Sequence, residues 1–296
     1  YPQQSLNLNG RLYSLERPLV MGIVNVTPDS FYADSRVSGE YALRERLDQL
    51  INEGASIADQ GAYSSRPGAE VVSPEEEKRR LSPALRLLRD EYPDLPVSVD
   101  TFRAEVAAWA VQEYGASLIN DISGGGLDSD MYRTVARLQV PYILMHMQGD
   151  PQTMQSKTDY TDVTLAVLDY FIERIGQLRE LGLHDLILDP GFGFSKTTEQ
   201  NYELMARLGE ITSILPQPLL VGISRKSMIY RPLATTPQEA LNGTTFLHAL
   251  ALERGAKILR VHDVRPAVEA VTLYEQLAPY QAPREHSLHH HLLRQP

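Results

Sequence analysis

Two carboxylates (Asp100, Asp189), two carboxamides (Asn25, Asn120) and a set of basic residues are the side chains of this 296-residue sequence best equipped for chemistry. The basic set is Arg66, Arg225, Lys226, Arg260 and His262, with Lys196 nearby. A fixed carboxylate accepts paired N–H donors, a carboxamide offers both a donor and an acceptor, and cations beside loop amides hold phosphate or pyrophosphate. These groups suit a ligand with N–H donors at one end and phosphate at the other. The formal net charge of -10 and pI near 5.3 mean that an anionic substrate must be caught by this local positive charge. They also argue against nucleic acid as a partner, because a phosphate backbone selects basic faces.

The elements that must position these groups can be read from what precedes them. Asn25, Ser64, Asp100, Asn120, His146, Asp189, Ser224 and His262 each mark the carboxyl end of a short apolar run, and the markers lie about 34 residues apart on average. That interval holds one strand and one crossover helix. Helices are expected over 41–53, 74–91, 103–114, 128–138, 161–181, 199–214, 237–254 and 265–277. Ser73-Pro74-Glu75-Glu76 and Thr236-Pro237-Gln238-Glu239 each read as an N-cap hydroxyl, an N1 proline and an N3 glutamate. Gly54, Gly115, Gly182 and Gly255 fall where helices should stop. Strands alternating with capped helices predict a parallel α/β architecture, a (β/α)8 TIM barrel whose strand C-termini converge on one face and so bring these scattered residues into one pocket.

No Pro/Gly/Ser-rich linker interrupts this rhythm, so one domain is expected, a barrel over 1–278 with a short N-terminal extension and a flexible C-terminal tail over 279–296. No apolar stretch approaches the roughly 18 residues of a membrane span, so no membrane association is expected. The absence of cysteine excludes a disulfide framework and a Cys-based metal site. No apolar leader is visible, and the cytoplasm is the expected location.

Eight segments, in order and at barrel spacing, resemble dihydropteroate synthases: MGIVNVTPDSF (21–31), SSRPGAE (64–70), SVDT (98–101), GASLINDISGG (115–125), MHMQGDPQTMQ (145–155), LDPGFGFSK (188–196), GISRKS (222–227) and RVHDV (260–264). The resemblance implies condensation of 6-hydroxymethyl-7,8-dihydropterin diphosphate with p-aminobenzoate, giving 7,8-dihydropteroate and diphosphate in folate biosynthesis. It assigns Asp100, Asn120, Asp189 and Lys226 to the pterin, and Asn25, Ser65, Arg66, Arg260 and His262 to the diphosphate. Pro67, Phe194 and Ser224 go to p-aminobenzoate. Catalysis would rest on Asp100, Asp189, Lys226, Arg260, His262 and Arg66, with Mg2+ as cofactor and Asn25 as its protein ligand. C–O cleavage would run ahead of nitrogen attack, so that carboxylates stabilise a dihydropterin cation while cations stabilise the leaving diphosphate. The weakly basic aniline needs no general base.

The resemblance further implies inhibition by sulfonamides, a homodimer formed by outer helices, and closure of the loops 27–39 and 63–72 over the site. Departures from the family pattern occur at SFYADS in the first loop, at Tyr63, and at Ser65, where threonine is usual. Serine keeps the hydroxyl and loses the restraining methyl, so function is expected to be retained with altered loop order.

Each assignment has a plainer counterpart. Asp100 would serve as a helix N-cap, and Asn120 and Asp121 as turn residues. His146 reads as a satisfied strand-end histidine and Lys196 as a solvated loop cation. Lys78, Arg79 and Arg80 read as partners of Glu75 and Glu76 on a wet helix face. The run His289-His290-His291 reads as part of a loose terminus. Two other functions fit the fold: a pterin-dependent methyltransferase barrel, and a non-catalytic pterin-binding homologue. A methyltransferase has no use for Arg225, Lys226, Arg260 and His262 around a diphosphate.

Overall fold

The computed structural model describes residues 1–24, 36–62, 71–150 and 152–281. Eight parallel strands close a barrel: β3 (Leu19–Ile23), β4 (Ile57–Gly61), β5 (Val97–Asp100), β6 (Leu118–Asp121), β7 (Tyr142–Met145), β8 (Leu186–Asp189), β9 (Leu219–Val221) and β10 (Ala256–Val261), which returns to β3. The expected (β/α)8 barrel is therefore the observed fold. An N-terminal antiparallel hairpin, β1 (Ser5–Leu8) and β2 (Arg11–Ser14), precedes it.

Period-two alternation along the strands sorts side chains into two cores. Leu19, Met21, Ile57, Leu118, Ile143, Ile187, Leu220 and Ile258 fill the barrel interior and pack with Leu6, Leu8 and Leu15 of the hairpin region. Their neighbours in sequence, such as Val20, Ala58, Ile119, Leu144, Leu188 and Leu259, face the surrounding helices. The hairpin closes the end where the strands begin: Gln3 Nε2 and the Asn7 amide both donate to Asp185, at 2.7 and 3.1 Å. With that end plugged by apolar side chains, the chemistry is confined to the other one.

Helix α2 (Pro74–Glu91) has the expected bounds, and Ser73 Oγ accepts from the Glu76 amide at 3.2 Å. The outer-face pairs form as well, Arg79 and Arg80 on Glu76, while Lys78 reaches Glu105. Helices α1 (Arg36–Glu53), α3 (Ala104–Tyr114), α4 (Met131–Leu138), α5 (Val163–Glu180) and α10 (Val264–Leu277) fall near the expected spans. Gly54, Gly115, Gly182 and Gly255 all adopt the left-handed conformation at their expected stops.

Two helices differ from expectation. Residues 199–214 form α6 (Thr198–Ala206) and α7 (Leu208–Ile214), broken at Arg207 beside the poor helix former Gly209. Arg207 gathers Asp162, Glu203 and Glu210 at this break. At 237–254, after the short helix α8 (Ser227–Tyr230), Pro237–Glu239 forms only a 3-10 turn and α9 begins at Leu241 (Leu241–Glu253). The carbonyls of Pro237 and Gln238 turn toward Arg225 Nη1, at 2.8 and 2.6 Å, and Thr236 makes no side-chain cap.

Candidate active site

Above the apolar interior, the inward positions of the strands become polar. Asp59 follows Ile57 on β4, Asp100 follows Ser98 on β5, Asn120 follows Leu118 on β6, Asp189 follows Ile187 on β8, and Arg260 follows Ile258 on β10. The strand register pairs Asp100 with Asn120 and Met145 with Asp189. Arg260 spans the mouth from β10, donating through Nε to Asp59 Oδ2 at 2.8 Å and through Nη2 to Asp100 Oδ2 at 3.4 Å. The plain reading of Asp100 as an N-cap is not what forms. Instead, the amide of Ala104 at the start of α3 donates to Asp128 Oδ2 at 2.8 Å.

Three acceptor atoms here are buried and unpartnered: Asp59 Oδ1, Asp100 Oδ1 and Asn120 Oδ1. A buried polar atom without a partner costs roughly 1–3 kcal/mol, so this cluster is primed for a ligand that supplies N–H donors. Burial and the neighbouring Asp59 push the Asp100 carboxyl well above the usual range, against the pull of Arg260. Asp121, by contrast, is the turn residue of the plain reading. Its carboxylate accepts from the Ser123 and Gly125 amides and from Tyr142 Oη, and takes no place in the mouth.

Asp189 sits where β8 turns into the segment PGFGFSK. Its Oδ1 accepts from the Gly191 amide at 2.9 Å. Burial raises the Asp189 carboxyl, while Lys226, this amide, Arg260 and Lys196 favour its ionised form. Lys226 Nζ donates to the Phe192 carbonyl at 2.7 Å and lies 4.8 Å from the centre of the Phe194 ring. Burial brings the Lys226 ammonium down to about 8. Met145, Met147 and Met154 pack together with Ile122 and Phe194 as an apolar wall beside these groups.

Gly191 has φ +74°, and a Cβ added there would stand 2.0 Å from the His146 carbonyl oxygen. Gly191→Ala should therefore destabilise the fold by about 3 kcal/mol or more, measured as a lowered midpoint of urea unfolding. An unchanged midpoint would mean that the turn is free to move away from β7.

Three sequence expectations change. Lys196 is no solvated cation: it is 4% exposed, and its Nζ lies 2.9 Å from His146 Nδ1 and 3.1 Å from each of the carbonyls of Gly191 and Phe194. Burial lowers its ammonium to about 7. His262 is not a cation near neutral pH, since burial and the nearby Arg260 bring it down to about 4. Its Nδ1 and main-chain N–H both engage Ser224 Oγ, at 3.0 and 3.1 Å, so Ser224 is a partner of His262. Arg225 is held by Asp263 at 2.7 Å as well as by the Pro237 and Gln238 carbonyls, and so serves the loop rather than the mouth.

The structure thus brings together Asp100, Asn120, Asp189, Lys226, Phe194 and Arg260, with His262 and Ser224 bonded to each other after the ends of β10 and β9. Asn25, Ser65, Arg66 and Pro67, and the run 289–291, lie outside the described residues. Sequence reasoning missed Asp59, because it looked for polar groups at strand ends. The available signal was a carboxylate two residues after Ile57, on the same face of β4.

Comparison with known proteins identifies the family. The family described as pterin binding enzyme matches residues 21–262. The dihydropteroate synthase of Escherichia coli (strain K12) is 42% identical over 272 residues, which cover 90% of this chain and 94% of that one. The crystal structure of Yersinia pestis dihydropteroate synthase with a sulfonamide drug superposes with a TM-score of 0.85 at 38% identity, covering 93% of this chain and 99% of that one. The Xanthomonas albilineans dihydropteroate synthase with 4-aminobenzoic acid superposes at 0.83 with 39% identity, covering 95% of this chain and 99% of that one.

Proposed function

Because the chain belongs to the pterin binding enzyme family, we infer that it is a dihydropteroate synthase and that the barrel mouth is its active site. The reaction joins 6-hydroxymethyl-7,8-dihydropterin diphosphate to p-aminobenzoate and releases diphosphate. The observation that carries the assignment of the mouth is the set of buried acceptors left open at Asp59, Asp100 and Asn120 near Asp189, with the half-buried Arg260 bonded to Asp59 and Asp100 and the half-buried Lys226 held on the turn after Asp189.

In this reading Asp189 accepts two N–H donors of the pterin edge, Asn120 and Asp100 take the remaining ones, and Lys226 donates to the ring acceptors. The C–O bond to the exocyclic methylene breaks with its electron pair going to the diphosphate. The aniline nitrogen then forms the C–N bond and loses its proton to solvent. Positive charge developing on the pterin is stabilised by carboxylates already fixed in place. Arg260 has its Nε and Nη2 on Asp59 and Asp100, leaving Nη1 for the diphosphate. His262 joins it as a neutral N–H donor, with Ser65 and Arg66 completing the diphosphate contacts. Phe194 and Pro67 wall the p-aminobenzoate ring, with Ser224 near its carboxylate. Arg225 is committed elsewhere, so the case against a methyl-transfer barrel rests on Lys226 and Arg260.

Among the described residues no three His, Asp or Glu side chains gather to hold a metal ion. Asp59 and Asp100 are tied to Arg260, so the donor set fits an ion that arrives with the diphosphate and takes one protein oxygen, for which Asn25 is the proposed ligand. When bound, Mg2+ neutralises charge on the leaving group.

The same proposal includes a homodimer in the cytoplasm. Phe246, Leu273 and Leu277 on the outer helices α9 and α10 are each more than half exposed and offer the apolar face a dimer would bury. No described helix is long and apolar enough to cross a membrane.

The experiment for the acceptor site is competition. A sulfonamide should raise the apparent KM for p-aminobenzoate and leave kcat unchanged, whereas a fall in kcat at saturating p-aminobenzoate would contradict a shared site. The pH profile provides a second check. Lys226 must be charged to donate to the pterin, and its free-enzyme value is lowered to about 8, so kcat/KM should fall as pH rises through about 8. Lys226→Arg, permanently charged, should lose the part of that limb centred near 8, leaving the fall that Lys196 sets near 7. A wild-type profile flat to pH 10 would remove the charged lysine from the reading.

A further inference from the structure

The buried pair Lys196 and His146 has no part in the chemistry above, yet it grips the segment that carries Asp189. Between residues 190 and 196 the chain passes through three left-handed residues, Gly191 (φ 74°), Gly193 (φ 85°) and Ser195 (φ 52°). It winds around two ammonium groups. Lys226 takes the Phe192 carbonyl at 2.7 Å, and Lys196 takes those of Gly191 and Phe194, each at 3.1 Å. The third donor of Lys196 meets His146 Nδ1 at 2.9 Å, which saturates its three N–H groups. His146 is suited to accept: burial and the neighbouring lysine hold it well below the usual histidine range, hence neutral.

His146 is in turn anchored to the barrel. Its amide donates to the Asp189 carbonyl at 2.9 Å, and its ring packs edge-on to Tyr170 at 4.9 Å. Tyr170 Oη donates to the Met145 carbonyl at 2.8 Å. Gly191 is thereby fixed at both ends of its residue: its N–H goes to Asp189 Oδ1 and its C=O to Lys196. A force on Lys196 reaches the carboxylate through a single residue. Burying an ammonium carries a large desolvation cost, so stability alone is a weak reason to place one here.

We propose that Lys196, seated on His146, is a positioning residue for pterin recognition: its ammonium holds the turn 190–194 so that Asp189 and Phe194 keep the orientation that the pterin ring requires. The proposal rests on the reading of Asp189 as a pterin acceptor and adds a device, outside direct contact with the substrate, that keeps this acceptor aimed. Lys196 also adds positive charge near Asp189, favouring the ionised carboxylate that accepts both donors.

The test compares Lys196→Met, His146→Asn and His146→Leu by titration with 6-hydroxymethyl-7,8-dihydropterin and by KM and kcat, with unfolding midpoints recorded for each. Asparagine places an acceptor oxygen near the Nδ1 position, and leucine does not. Lys196→Met and His146→Leu should each weaken pterin binding about tenfold or more in protein that remains folded at the assay temperature. His146→Asn should bind close to wild type. A lowered midpoint with unchanged pterin affinity in Lys196→Met would overturn the proposal, as would equal weakening in the two His146 variants. Should Lys196→Met fail to fold, the His146 pair decides. Asp189→Asn runs alongside: if it too binds pterin normally, the pocket reading itself fails, whereas a weakened Asp189→Asn with a normal Lys196→Met sinks the positioning role alone.

Discussion

Asp189→Asn should raise the dissociation constant for 6-hydroxymethyl-7,8-dihydropterin about 100- to 1,000-fold while leaving the barrel folded. The asparagine can keep its Oδ1 on the Gly191 amide, now at 2.9 Å from the aspartate. Its amide NH2 then occupies the position of Oδ2, where it confronts pterin donors with a donor. One favourable pair becomes a repulsive one inside a buried site, and this is the most expensive kind of single-atom exchange in recognition. The folded state should tolerate the change, because burial disfavours the charged form of Asp189 and the exchange removes that charge. Isothermal titration against the phosphate-free pterin isolates the effect from diphosphate binding. Affinity within a few-fold of wild type would mean that the pterin edge lies elsewhere.

Arg260→Met should have two consequences that a double variant separates. Removing the guanidinium leaves Asp59, 1% exposed in its side chain, and Asp100 without their shared cation. An uncompensated buried carboxylate of this kind costs about 3–5 kcal/mol, read as a lowered unfolding midpoint. Turnover of the dihydropterin diphosphate should also fall about 100- to 1,000-fold, the range for losing a charge-stabilising donor in the transition state. In Asp59→Asn/Arg260→Met, the buried charge on β4 is neutralised together with its partner, so much of the stability should return. Turnover should not return. Recovery of turnover in the double variant would show that Arg260 only balances Asp59.

Most of the barrel was legible because its strands announce themselves twice, by an apolar run and by the polar residue that ends it. Asp100, Asn120 and Asp189 were found this way, and their convergence follows from parallel strands alone. The helix stops at Gly54, Gly115, Gly182 and Gly255 were legible because a left-handed residue there favours glycine. Less visible were features that depend on depth. A lysine in a loop reads as solvated, and only the fold shows Lys196 closed in by His146 and two carbonyls. A histidine beside arginines reads as part of a cationic cluster, yet that same proximity, together with burial, keeps His262 neutral. Asp59 lies inside a strand rather than at its end, where a charge has no local signature beyond its spacing from Ile57. The hairpin at residues 5–14 went unread although its turn, Asn9-Gly10 with both φ positive, is a local signal, whereas the break at Arg207 also draws on a distant partner, Asp162.

The most direct test of the account is release of diphosphate from 6-hydroxymethyl-7,8-dihydropterin diphosphate in the presence of Mg2+, with and without p-aminobenzoate, with the organic product identified by mass. The site described here predicts 7,8-dihydropteroate formed in step with diphosphate, only when p-aminobenzoate is present. Pterin binding with no dihydropteroate formed, or diphosphate released at the same rate without the aromatic amine, would contradict it.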